Sequence, residues 1–128
     1  MQENEISYII IASAIKVHRA LGPGLLESVY EAALYHELKL NCGLEVKRQY
    51  PVEVFYDGVS MGMGFRADLI VEDKVIIEVK SVSEISKVFK KILYSYLVLS
   101  DINLGLLLNF NEVLLKDGIK RIVNNLEE

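Results

Sequence analysis

Hydrophobic positions recur along this chain with two different periods, and the change of period marks out its elements. Ile6, Ile10, Ala14, Val17 and Leu21 fall at helical spacing and predict a helix over about residues 5–21. Gly22-Pro23-Gly24 ends it, because a proline disfavours helix at the residue before it and glycine permits the turn. The stripe Leu26, Val29, Tyr30, Ala33, Leu34 and Leu38 predicts a second helix over about residues 25–40, with Asn41-Cys42-Gly43 as a glycine cap.

From Leu44 to Tyr56 the period becomes two. Val46, Arg48 and Tyr50 alternate with Lys47 and Gln49, then Val52, Val54 and Tyr56 with Glu53 and Phe55. Asp57-Gly58 is a hairpin signal. Gly62-Met63-Gly64 leads into the strand 65–71, Glu72-Asp73-Lys74 turns the chain, and 75–80 returns it. Ser81 and Glu84 have capping-box spacing ahead of a helix over about residues 84–99, which buries Ile85, Val88, Phe89, Ile92, Leu93 and Tyr96 and exposes Lys87, Lys90 and Lys91. Residues 104–110 are nearly all apolar, as in a strand covered on both faces. Strand, helix and strand in that order predict a parallel, right-handed crossover. Asp117-Gly118 reads either as a closing hairpin between 113–115 and 119–123 or as part of a terminal helix after Lys116. The expectation is one α/β (α+β) domain over residues 1–128, a mixed sheet flanked by helices.

Chemistry concentrates in the hairpin 65–80. Simple alternation puts Phe65, Ala67, Leu69 and Val71 on one face and Arg66, Asp68 and Ile70 on the other, with Ile76, Glu78 and Lys80 sharing the second face. Matching the apolar faces sets a register centred on Asp73, which pairs Leu69 with Ile77 and Ala67 with Val79. Asp68 then stands opposite Glu78, and Arg66 opposite Lys80. Directly paired Cβ atoms lie about 4.5–5.5 Å apart, so the two carboxylates repel unless a cation sits between them. Mg²⁺ held by one or two carboxylates and water suits such a pair. Lys80, one side-chain step from Glu78, can orient water and stabilise developing phosphate charge. The plainer alternative is a solvated charge ladder neutralised by Arg66 and Lys80. Ile70 and Ile76 on the same face argue instead for a sheltered cleft.

Composition adjusts this picture modestly. The chain has 128 residues, 52% of them hydrophobic, enough for a core without a disulfide or metal staple. A single cysteine, Cys42, points to a reducing, cytoplasmic setting. The early apolar run is broken by Ser13 and Lys16, which argues against a signal peptide or membrane span. The net charge of −4 offers no global attraction to nucleic acid, so a local patch or a metal must supply it. Lys87, Lys90 and Lys91 are candidates for phosphate contacts, although such a run is more often the solvated face of a helix. His18 and His36 have no partner at zinc-ligand spacing. Nothing in the sequence indicates an oligomeric state.

At the start of the second helix, Gly24, Glu27 and Tyr30 stand three apart. Glu27 reads as a favourable first-turn acid or as a third acid reaching the site, and Tyr30 as core or as its support. The segment 21–30, LGPGLLESVY, resembles the signature of the GxxExxY proteins, and 65–71 with 75–80 resembles their PD-(D/E)xK core. Residues 104–110 resemble the last core strand, so the likeness covers nearly the whole chain. It implies a restriction-endonuclease-like fold, a Mg²⁺ (or Mn²⁺) site and phosphodiesterase activity on DNA or RNA. By the same resemblance Asp68, Glu78 and the backbone carbonyl of Val79 are metal ligands, Lys80 is the catalytic lysine, and Glu27 is the helix-borne acid. Tyr30, Arg66 and Tyr96 support them. Ala67 replaces the motif's proline. Ile92 stands where such nucleases tend to carry a glutamine four residues before the tyrosine, and Phe89 replaces a polar aromatic. Those departures keep open a second reading, a nuclease-fold module for binding or assembly with impaired turnover.

Overall fold

The computed structural model describes residues 1–127. Helix α1 (Glu3–Leu21) is followed by α2 (Glu27–His36), which relaxes into a π-helical turn over Glu37–Asn41. Strands β1 (Val46–Tyr56), β2 (Val59–Val71) and β3 (Val75–Lys80) form a meander, and α3 (Lys87–Ser100) crosses to β4 (Leu104–Asn109). A 3₁₀ turn, Leu115–Gly118, leads into β5 (Ile119–Val123). The five strands lie in the order β1-β2-β3-β4-β5, and only β3 and β4 run parallel. This is a mixed α+β fold, a five-stranded sheet with helices on both faces, consistent with a restriction-endonuclease-like core.

The two expected turns form for the expected reason. Asp57 and Gly58 take φ of 56° and 75°, the left-handed pair that a two-residue hairpin needs, and Tyr56 faces Val59. Glu72 and Asp73 both sit at φ 54°, and the Lys74 N–H donates to the Val71 carbonyl at 3.0 Å. Beyond that turn Leu69 pairs with Ile77, Ile70 with Ile76 and Val71 with Val75, which is the register centred on Asp73.

The core has two layers. On one face α1 and α2 bring Ile6, Ile10, Ala14, Tyr30, Leu34 and Leu38 against Leu69, Val71, Ile77, Val79, Leu106 and Leu108. On the other, Leu93 and Leu97 of α3 cover Phe65, Ala67, Ile70, Ile76 and Leu107. Tyr30 stacks on Phe110 with ring centroids 4.6 Å apart, an offset geometry that adds to plain area burial.

Five expectations need correction. Leu21, Leu26, Val29, Val88 and Ile92, expected on the buried helical stripes, are exposed. Phe65 and Ala67 do not share a face with Leu69 and Val71: they pack beneath α3 with Ile70. The inside-out alternation therefore slips by one residue at Asp68. It slips in β1 as well, since Val46 faces α1 and α2 whereas Val52 and Val54 pack on the α3 side. Gln49, at φ 50° in mid-strand, is where β1 kinks, and that kink is the physical cause. Helix α3 begins at Lys87 with Ser86 at its N-cap, so Ser81 and Glu84 form no capping box. Finally, 113–115 is no strand, and no terminal helix follows Lys116 among the described residues. Strand β5 pairs antiparallel with β4, from Leu104–Val123 to Leu108–Ile119.

Candidate active site

Asp68 and Glu78 come from neighbouring strands, one row beyond the Leu69–Ile77 pair. The Val79 N–H donates to Asp68 Oδ2 at 2.8 Å, which fastens the first acid to the strand carrying the second. Glu78 is only 8% exposed, and its Oε1 has no hydrogen-bond partner. Burial pushes its carboxyl up to about 9, and the adjacent Asp68 carboxylate pushes the same way against the weaker pull of Lys80. Tyr96 is raised as well, by burial first and then by Glu78 and Asp68. A solvated ladder is therefore excluded for Glu78. Nor does Arg66 neutralise the pair: it is exposed, with its guanidinium 3.7 Å from Met63 Sδ.

The groove over Glu78 holds about 110 Å³ and is lined by Lys80, Phe89, Ile92, Leu93, Tyr96 and Leu107. Its walls are mostly apolar. Lys80 is half-buried, with Nζ 4.6 Å from the centroid of the Phe89 ring, a cation–π contact that holds the ammonium beside the acids. Phe65 stacks on Tyr96, one of the groove's lining residues, with ring centroids 3.8 Å apart. Lys87 and Lys91 are exposed and Lys90 half-buried on α3, and among the described residues none of the three forms an ion pair.

Glu27 does not join the acids. Its Oε2 accepts the Ser81 N–H at 3.0 Å, while Ser81 Oγ donates to the Leu25 carbonyl at 2.8 Å. Tyr30 Oη donates to the Gly22 carbonyl at 2.5 Å and accepts from the Leu25 N–H at 3.0 Å. The motif of Gly24, Glu27 and Tyr30 thus ties the start of α2 to the residue that follows Lys80. Phe110 N–H donates to the Lys80 carbonyl at 2.9 Å, and Asn109 clamps Val82 through both backbone groups. Lys80 ends its strand in a segment held from two sides.

Among the described residues no three His, Cys, Asp or Glu side chains gather closely enough to hold a metal. What is present is a pair of acids, one bearing a buried oxygen without a partner. A divalent cation that takes one or two carboxylates and completes its shell with water fits that donor set. The fit is also chemical, because such an ion would satisfy the orphaned oxygen and displace the proton that burial keeps on Glu78.

Sequence reasoning missed a second layer behind Asp68. Glu31 of α2 is 6% exposed, and its Oε2 accepts from Arg48 Nε at 2.7 Å. Gln49 Nε2 donates to Glu31 Oε1 at 2.6 Å and to Asp68 Oδ1 at 3.3 Å. Both neighbours are acceptors only, so the amide nitrogen, not the oxygen, must face them. The left-handed backbone at Gln49 costs about 1–3 kcal/mol and nothing in the local pattern announces it.

The comparisons with known proteins bear on the fold and the family. The crystal structure of SSO0001 is similar in fold, with a TM-score of 0.56 and 21% identity, covering 97% of this chain and 63% of that one. The chain thus spans less than two-thirds of that relative. No curated protein is similar enough to match. The model of the PD-(D/E)XK nuclease superfamily, whose members typically use divalent metals, matches residues 4–122. With its acid pair and lysine on adjoining strands of a mixed sheet, the chain belongs to the PD-(D/E)XK nuclease superfamily.

Proposed function

We propose that this chain is a Mg²⁺- or Mn²⁺-dependent nuclease domain, one that hydrolyses phosphodiester bonds of DNA or RNA. The observation that carries the reading is the buried, unpartnered Glu78 oxygen, set against Asp68 with Lys80 two residues on. Asp68, Glu78 and the Val79 carbonyl would hold the ion. Its chemistry there is to lower the pKa of water and to polarise a phosphoryl oxygen. Lys80 faces the same groove and stabilises charge that develops on the phosphate. Phe89, Leu93 and Tyr96 keep bulk water from the acids, which strengthens each of these interactions. Glu27 and Tyr30 act at one remove, by fixing Ser81 and so the end of the strand that bears Lys80. Their spacing after Gly24 supports a place among the GxxExxY proteins. With a net charge of −4, attraction to the backbone falls to Lys87, Lys90 and Lys91.

The test is cleavage of single- and double-stranded DNA and RNA with Mn²⁺, with Lys80→Ala and Glu78→Ala alongside. Cleavage by the unaltered chain, abolished in both variants at unchanged helical content, is the expected result. Cleavage that survives both variants removes this site from the mechanism. A second reading rests on Ile92, a hydrophobic side chain 39% exposed in the groove where an amide would serve catalysis. It makes the domain a binding or assembly module that retains the scaffold. Retention of nucleic acid with no turnover under any of those conditions would favour it.

A further inference from the structure

We infer that Gln49 is a positioning residue for the metal site, the link through which buried Glu31 sets the orientation of Asp68. The inference rests on the metal-site reading above and adds a residue that the motif does not contain.

Three observations converge on it. First, Gln49 lies in the same row of the sheet as the acids. The β1–β2 pairs Arg48–Leu69 and Tyr50–Ala67 bracket it opposite Asp68, whose carboxylate in turn acts on Glu78 of β3. Second, its backbone takes φ 50° in mid-strand, between Arg48 and Tyr50, which keep their pairs on β2. The kink is the point where both strands exchange their inner and outer faces. Third, its amide spends both N–H groups on carboxylates, at 2.6 Å on Glu31 and 3.3 Å on Asp68.

The result is an acid held at both oxygens. Asp68 Oδ1 is met by Gln49 and Oδ2 by the Val79 N–H, so its plane is set before any cation arrives. Glu31 cannot swing away, because it is buried and its other oxygen is taken by Arg48. Each carboxylate oxygen retains a lone pair beyond these bonds, so the clamp does not consume the capacity to ligate. Groups that orient a metal ligand from behind typically change metal affinity about 10–100-fold when removed. Without the Gln49 amide, Asp68 and Glu31 would face each other with no donor between them, and Oδ1 would be free to rotate.

The experiment is a calorimetric titration of the full chain with Mn²⁺ alone, without nucleic acid. Thermal melting is recorded on the same samples. Gln49→Ala removes the amide, and Gln49→Gly removes it while accepting the left-handed backbone, which separates the side chain from the strain. Both variants are expected to bind Mn²⁺ about tenfold or more weakly. The glycine variant is expected to keep the melting temperature. Where the unaltered chain cleaves nucleic acid, the variants' activity should recover at saturating Mn²⁺, a split that a purely structural role would not produce. Binding within twofold of the unaltered chain in a folded Gln49→Gly protein overturns the inference and leaves the nuclease reading intact. Weakened Mn²⁺ binding in the variants of a chain that cleaves nothing does the reverse. An unaltered chain that takes up no Mn²⁺ overturns both.

Discussion

The Val79 N–H points its hydrogen at Asp68 Oδ2, 2.8 Å away, where a regular ladder would offer it to a backbone carbonyl. A side chain has taken over one backbone position between β2 and β3, at the row where the acids meet. Asp68→Ala should therefore do two things at once. It leaves a buried N–H without an acceptor, costing about 1–3 kcal/mol in urea denaturation, and it removes one metal ligand. Asp68→Asn keeps an acceptor for Val79, so it should retain most of the stability while losing Mn²⁺ affinity by calorimetry. Equal destabilisation by both changes would contradict this account.

The raised Glu78 carboxyl makes the metal-free protein pH-dependent in a defined direction. In the fold Glu78 keeps its proton to about 9, whereas in the unfolded chain it loses it near 4.5. Between those values the folded state holds the extra proton, so stability falls as pH rises. The contribution is complete below the lower value and gone above the higher one, with a slope of at most about 1.4 kcal/mol per pH unit. Glu78→Gln, neutral throughout, should flatten that slope. Urea titrations below, within and above the window, with metal chelated, would reveal it.

Tyr30→Phe isolates the hydroxyl from the ring. The stack on Phe110 survives, but the Gly22 carbonyl and Leu25 N–H lose their shared partner. A loss of about 1–3 kcal/mol is expected. The turn that brings Leu25 and Glu27 to Ser81 should loosen with it, and faster amide exchange at Ser81 is the corresponding signal.

Gly105 sits on β4 directly under α3, and a Cβ there would meet Leu93 side-chain atoms at 2.9 Å. Gly105→Ala should destabilise by about 1–3 kcal/mol, as overpacking of a filled core does. Because α3 carries Phe89, Ile92 and Tyr96, the same displacement should widen the groove and lower any cleavage more than the stability change alone would explain. Thermal melting beside initial rates separates the two effects.

Ile92→Gln places an amide in the groove that holds the unpartnered Glu78 oxygen. A donor to that oxygen favours the charged carboxylate, so the Glu78 titration should move down. Higher Mn²⁺-dependent cleavage than the unaltered chain is the expected result. A rate that stays at zero, with Mn²⁺ binding intact, would strengthen the binding-module reading.

The β2–β3 register was legible because two strands joined by a short turn must match their apolar faces, and Leu69, Val71, Val75 and Ile77 leave one solution. The helices were legible for a similar reason: Ile6, Ile10, Ala14 and Val17 reach the core, although Leu21, Leu26, Val29, Val88 and Ile92, placed on the same stripes, are exposed at helix ends or margins. The face exchange at Asp68 was not legible. Periodicity assumes an unbroken strand, and the residue that breaks this one is a glutamine, a type with no preference for the left-handed region. Glu31 was overlooked because a buried acid on a helix looks, in sequence, like any exposed one. The capping pattern at Ser81 and Glu84 misled because Ser81 is drawn instead to Leu25 and Glu27, partners more than fifty residues away.

Strand β3 is the middle of five and has hydrogen-bonded neighbours on both sides. Fraying starts at edges and ends, so the amides of β3 that bond to its neighbouring strands should surrender their protons to deuterated solvent only when the molecule opens as a whole. The groups proposed to grip a cation are thus mounted on the part of the chain that loosens last. Partial breathing of the hairpin tip or of the lysine-bearing helix would leave the grip whole, and losing it would mean losing the fold.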